Sequence, residues 1–136
     1  MRLRPSKIRY SQDSISNRFC DGELIGDVLD DLCDGRIRKR DFPIIEVAFI
    51  NGRWYTADNR RLWVFQQLEE LGKCRKIPVD EIYEIPSYKM TTRNGGRYVT
   101  VRGYPGGEWI QELESSSYGY SSIDDDFYNR FQNFRM

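Results

Sequence analysis

The 136-residue sequence contains no histidine. That absence removes the commonest general base, the Ser-His-Asp triad and most zinc sites, so no zinc is expected. Cysteine is scarce: Cys20, Cys33 and Cys74 form no CxxC pair, and their number is odd. They read as reduced intracellular thiols, with no disulfide frame. No apolar run reaches the length of a membrane span, and Glu46 interrupts the longest, Ile44 to Ile50. The opening MRLRPSKIRY lacks the apolar stretch of a signal peptide. An intracellular protein, cytoplasmic or nuclear, with no membrane partner is the expectation. Lys+Arg and Asp+Glu both number 21. A net charge of zero leaves no global basic field to hold nucleic acid by counterion release.

Hydrophobic residues make up 39% and aromatics 14%, enough for a core in one ordinary domain. The charge is uneven. Residues 1–102 carry a net +4 and residues 103–136 a net −4. GYPGG at 103–107 is a turn-rich break, and residues 115–122 are Ser, Tyr and Gly alone. The expectation is a domain over 1–102 and an acidic aromatic tail over 103–136. That tail is either partly flexible or docked on the basic domain, and residues 108–136 could instead take a protein partner.

Within the domain, Leu24, Ile25, Val28, Leu29, Leu32 and Cys33 recur at helical spacing and predict a helix over 23–34. Asp27, Asp30, Asp31 and Asp34 form its opposite face, read as solvated. Arg36 to Arg40 is a basic connector. Ile44 to Ile50, the Asn51-Gly52 turn and Arg53 to Ala57 predict a hairpin. Asp58 is the N-cap candidate for a second helix over 59–71, with Leu62, Phe65, Leu68 and Leu71 as its core stripe. Residues 77–85 predict a strand. Residues 87–92 and 97–102 flank Asn94-Gly95-Gly96 and predict a second hairpin. The sum is an α+β fold with a small mixed sheet and two main helices.

The start of the second helix is the site candidate. Asp58, Asn59, Arg60 and Arg61 stand where a strand gives way to a helix. Free N–H groups and the positive dipole end favour an anion there. Two arginines in that turn oppose the dipole by about 0.3–1 kcal/mol each. A bound phosphate removes the conflict and engages both guanidinium forks. The competing reading is that the arginines reach Asp58 or Asp13 and tie the loop down.

The run PIIEVAFINGRWYTADNRRLWVFQQLEELG followed by IPV resembles the ParB/sulfiredoxin-like superfamily over about residues 8–79. There a strand pair leads into a short Gly-Glu-Arg-Arg or Gly-Gly-Cys-His-Arg box that opens a helix. Asp58 falls on the box glycine. Asn59 falls on the glutamate of the partition proteins and the catalytic cysteine of the sulfiredoxins. Arg60 and Arg61 fall on the basic pair that holds nucleotide phosphate. The resemblance implies a nucleotide or another phosphorylated ligand, Mg²⁺ with ATP or CTP, and phosphoryl transfer or nucleotide hydrolysis. Asn59 in place of cysteine argues against sulfiredoxin-type reduction. No helix-turn-helix follows, so sequence-specific DNA binding has no support. Gln12, Asp13 and Ser14 lie in the polar turn that family members place near the nucleotide. Asp13 is the candidate base or metal ligand, with Gln12 and Ser14 beside the phosphate. A non-catalytic interaction module and a metal-dependent nuclease are the alternatives.

Overall fold

The computed structural model describes residues 1–118. Seven strands and three α-helices follow one another: β1 (Arg2–Leu3), β2 (Ile8–Tyr10), β3 (Ser14–Ser16), α1 (Ile25–Cys33), β4 (Ile45–Ile50), β5 (Arg53–Thr56), α2 (Asn59–Glu70), β6 (Ile77–Glu81), β7 (Thr100–Arg102) and α3 (Trp109–Tyr118). The fold is α+β with a mixed sheet in the order β1-β6-β4-β5-β2. β4 pairs antiparallel with β5 and parallel with β6, while β2 lies parallel to β5. The β4–β5 turn is the expected Asn-Gly pair. Its residues have φ of 50° and 81°, the double left-handed geometry that matches strand twist.

The core lies where the sheet meets α1 and α2. α1 buries Ile25, Val28, Leu29 and Leu32. α2 is enclosed on more than one stripe: Trp63, Val64 and Gln67 are buried along with Leu62, Phe65 and Leu68, while Leu71 is only half-buried. A helix packed on one side by α1 and on another by the sheet needs apolar residues around most of its girth. Gln66 fixes the N-terminal segment to α2. Its Nε2 donates to the Pro5 and Ile8 carbonyls, and its Oε1 accepts from the Tyr10 hydroxyl. Glu69 accepts from the Ser6 N–H and hydroxyl.

Two expectations fail in this part of the chain. Residues 87–102 form no hairpin. Instead the segment folds over the end of β2: Thr91 and Thr92 N–H groups donate to the Ser11 carbonyl, and Tyr10 N–H donates to Gly96. β7 then pairs in parallel with β3. Gly96, at φ 74°, sits so close to Tyr10 that a side chain would strike the Tyr10 backbone. Its left-handed conformation serves that contact rather than a hairpin turn.

The acidic face of α1 is also more than solvated. Asp30 accepts from the Glu108 and Trp109 N–H groups at 2.7 and 2.9 Å and so caps α3. Asp34 accepts from the Trp109 indole N–H at 2.9 Å. Gly26 donates its N–H to the Pro105 carbonyl, and Ile110 and Leu113 are buried in the core. Residues 103–113 therefore dock on α1. Residues 119–136, including the acidic run Asp124 to Asp126 and the aromatics after it, lie outside the described residues. Among the described residues no helix is long and apolar enough to cross a membrane.

Candidate functional site

A cleft of about 770 Å³ opens at the N-terminus of α2. Its floor is the turn Ala57 to Arg61. One wall is the segment from Ser11 to Glu23, and another runs from Ile37 to Pro43. Lys89 and Arg102 close the rim. The volume lies within the range of small-molecule sites.

The sequence builds this floor in a defined way. Thr56 ends β5 and accepts the Asp58 N–H on its hydroxyl at 3.0 Å. Asp58 occupies the N-cap position, yet its side chain makes no capping bond. Its Oδ2 instead accepts from the Glu46 N–H at 2.8 Å, which ties the helix start back to β4. Asp58 is therefore the N-cap residue, as expected, but its carboxylate bonds to β4 instead of to the N–H groups of its own helix. The N–H groups of Asn59, Arg60 and Arg61 have no acceptor among the described residues, as the first turn of a helix dictates.

Asn59 is 4% exposed. Its Oδ1 accepts from the Ser11 N–H at 2.9 Å, and its Nδ2 donates to the Ser11 hydroxyl and the Ala57 carbonyl. Both polar atoms are thus engaged within the protein. Asn59 positions the Ser11 turn against the helix and leaves ligand contact to its neighbours.

Arg60 and Arg61 frame the cleft from half-buried positions. Arg60 Nη1 donates to the Arg18 carbonyl at 2.7 Å, its Nη2 lies 3.8 Å from the Cys20 sulfur, and its guanidinium stands 6.0 Å from the Phe19 ring centre. Arg61 Nη1 donates to the Ile44 carbonyl at 3.1 Å and lies 3.7 Å from Asp58 Oδ1. The tie to Asp58 is therefore real, and the tie to Asp13 is absent. A guanidinium has five N–H donors, so both arginines keep donors to spare.

The polar turn divides. Gln12 is exposed on the cleft wall. Ser14 lies off the cleft, where its hydroxyl accepts from Arg102 Nη1 at 2.6 Å. Asp13 also lies outside the cleft lining. Its carboxylate accepts from the Arg93 N–H at 2.6 Å and pairs with the Arg93 side chain at 3.5 Å. The structure thus brings Asp58 to Arg61 and Gln12 together, and separates Asp13 and Ser14 from them. Sequence reading missed Lys89 and Arg102, which the failed hairpin had placed elsewhere. It also missed Phe19 and Phe42, which stack edge-to-face at 6.1 Å behind the arginines.

Among the described residues no three Cys, Asp or Glu side chains converge where they could share a metal ion. The cysteines divide by environment. Cys20 is exposed on the cleft, whereas Cys33 and Cys74 are half-buried. Burial pushes the Cys33 thiol up to about 11 from 9.0 and raises that of Cys74. A thiol held that high carries roughly 100-fold less thiolate at neutral pH. Disulfide-reagent titration of the native chain at pH 8 is expected to show one fast thiol, Cys20, and two slow ones. Three equal rates would contradict this placement.

Comparison of the chain with family models, curated proteins and solved structures finds no match.

Proposed function

We propose that the cleft binds a nucleotide, with its phosphates at the N-terminus of α2 and its base toward Phe19 and Phe42. The observation that carries this reading is the first turn of α2. Asn59, Arg60 and Arg61, whose N–H groups have no acceptor among the described residues, line one cavity, and the two arginines are only partly engaged. Anions gain there from the dipole, from the N–H groups and from charge-assisted bonds to the guanidinium forks. Lys89 and Arg102 add positive charge at the rim. The apolar wall supplies area for a base, which phosphate alone would leave unused. The resemblance of the Asp58–Arg61 box to the ParB/sulfiredoxin-like superfamily points the same way.

The reading is one of binding, because Asp13 lies outside the cleft lining. Mg²⁺ generally takes one or two carboxylates, substrate phosphates and several waters. Asp21 and Asp41 on the cleft walls would be the protein's share; Asp41 is also paired with Arg38 at 2.8 Å, and Asp58 is engaged by Glu46 and Arg61. When bound, the ion would neutralise phosphate charge.

A thermal-shift panel tests the proposal. ATP, CTP, GTP, UTP and inorganic phosphate are added with and without Mg²⁺. A ligand that binds only the folded state at 100 times its Kd stabilises by about 2.7 kcal/mol. At least one nucleotide should raise the melting temperature more than inorganic phosphate at equal concentration. No shift with any nucleotide contradicts the proposal.

A further inference from the structure

A second cavity, of about 820 Å³, lies at the other end of α2. The 12 residues of α2 separate it from the first by about 18 Å. Seven cationic residues line it and no acidic one does. They come from three stretches: Arg2 in β1 with Arg4 just after it, Lys39 and Arg40 in the connector, and Lys73, Arg75 and Lys76 in the α2–β6 loop. The zero net charge of the whole chain conceals this local excess.

Of the seven, Arg4 has an ion-pair partner, Glu69 at 3.4 Å. Among the described residues the other six have no carboxylate within ion-pair distance. Several are nevertheless held in place. Lys39 Nζ donates to the Lys73 carbonyl, and Arg2 Nη2 donates to the Lys76 carbonyl at 2.9 Å. Lys73 Nζ stands 4.7 Å from the Trp109 ring centre. Neutral carbonyls and a ring orient these cations without cancelling their charge. Like charges gathered in one groove repel, and an anion with several charges relieves that repulsion.

We propose that this groove binds the phosphate backbone of a nucleic acid without reading its sequence. A groove with cations contributed by three chain segments suits a polymer of regularly spaced phosphates better than a single small anion. The nearby aromatics are occupied elsewhere. Phe65 is 3% exposed and Trp109 is half-buried under Lys73, so neither offers a free face for stacking bases. Contacts confined to phosphate position a polymer and carry no sequence information. This proposal is independent of the nucleotide cleft.

Fluorescence anisotropy of the full-length chain tests it, with a labelled 20-nucleotide single strand and a 20-base-pair duplex of unrelated sequence. Binding of either is expected to weaken as salt rises, with log K linear in log salt. Each phosphate contact removed should reduce the slope by about one. The triple variant Lys73→Gln, Arg75→Gln, Lys76→Gln changes only exposed side chains. It should flatten the slope by two to three and lower affinity at low salt by at least tenfold. Arg2→Gln with Arg40→Gln probes the opposite sides of the groove and should act in the same direction. The proposal is overturned if both variants bind like the parent chain. It is also overturned if polyglutamate of matched charge competes as strongly as unlabelled oligonucleotide, which would make the partner an acidic protein.

Discussion

Asn59→Ala is expected to destabilise the chain by about 2–4 kcal/mol and to loosen the cleft wall that carries Gln12. The Ser11 N–H and hydroxyl lie at 0% exposure and both bond to the Asn59 amide. Removing that amide leaves a buried donor without an acceptor, which costs about 1–3 kcal/mol for each such group. The small cavity left behind adds to this. Ser11→Ala is the informative control. It removes the hydroxyl and keeps the backbone bond to Asn59 Oδ1, so its cost should be about 1 kcal/mol. Denaturant unfolding of the two variants measures the difference. Equal costs would mean that the amide does not lock the turn as its geometry indicates.

The second large effect concerns Gly26. A side chain there would overlap the backbone of Gly106 and crowd Pro105. Backbone atoms cannot swing aside as a side chain can, so the docked segment must lift from α1. Overpacking alone costs about 1–3 kcal/mol. Ile110 and Leu113, 3% and 6% exposed, would lose part of their burial as well, at up to about 1.5–3 kcal/mol each. Gly26→Ala is therefore expected to cost about 3 kcal/mol or more and to red-shift tryptophan emission as Trp109 meets water. Gly107→Ala should act alike, because its added carbon would strike the Gly26 backbone. Gly22→Ala provides the contrast. Gly22 has φ of 91° but open space around it, so only backbone strain of about 1–2 kcal/mol applies. A Gly26 variant as stable as the parent would contradict the close approach of residues 103–107 to α1.

What could be read from the sequence was local. The α1 and α2 cores follow from helical spacing, and the β4–β5 turn follows from Asn51-Gly52. The floor of the cleft was legible because a strand, an aspartate and two arginines are contiguous. Long-range pairing was not legible. Asp13 is aimed by Arg93, 80 residues away, and nothing in the SQDSIS run announces that partner. Asp30 resembles any solvated helix aspartate until α3 arrives 79 residues later to be capped. Asn94-Gly95-Gly96 carries a hairpin's composition, yet tertiary contact with Tyr10 sets its conformation. The basic groove was hidden for the same reason. Its cations are scattered from Arg2 to Lys76, and the fold alone gathers them.

In the proposed complex the first turn of α2 holds the phosphates of a nucleotide. Calorimetric titration of the parent chain, Arg60→Ala and Arg61→Ala with the nucleotide giving the largest thermal shift tests it most directly. Charge-assisted bonds contribute about 1.5–3 kcal/mol, so each variant should bind at least tenfold more weakly while keeping its fold. Unchanged affinity in both folded variants would contradict the claim.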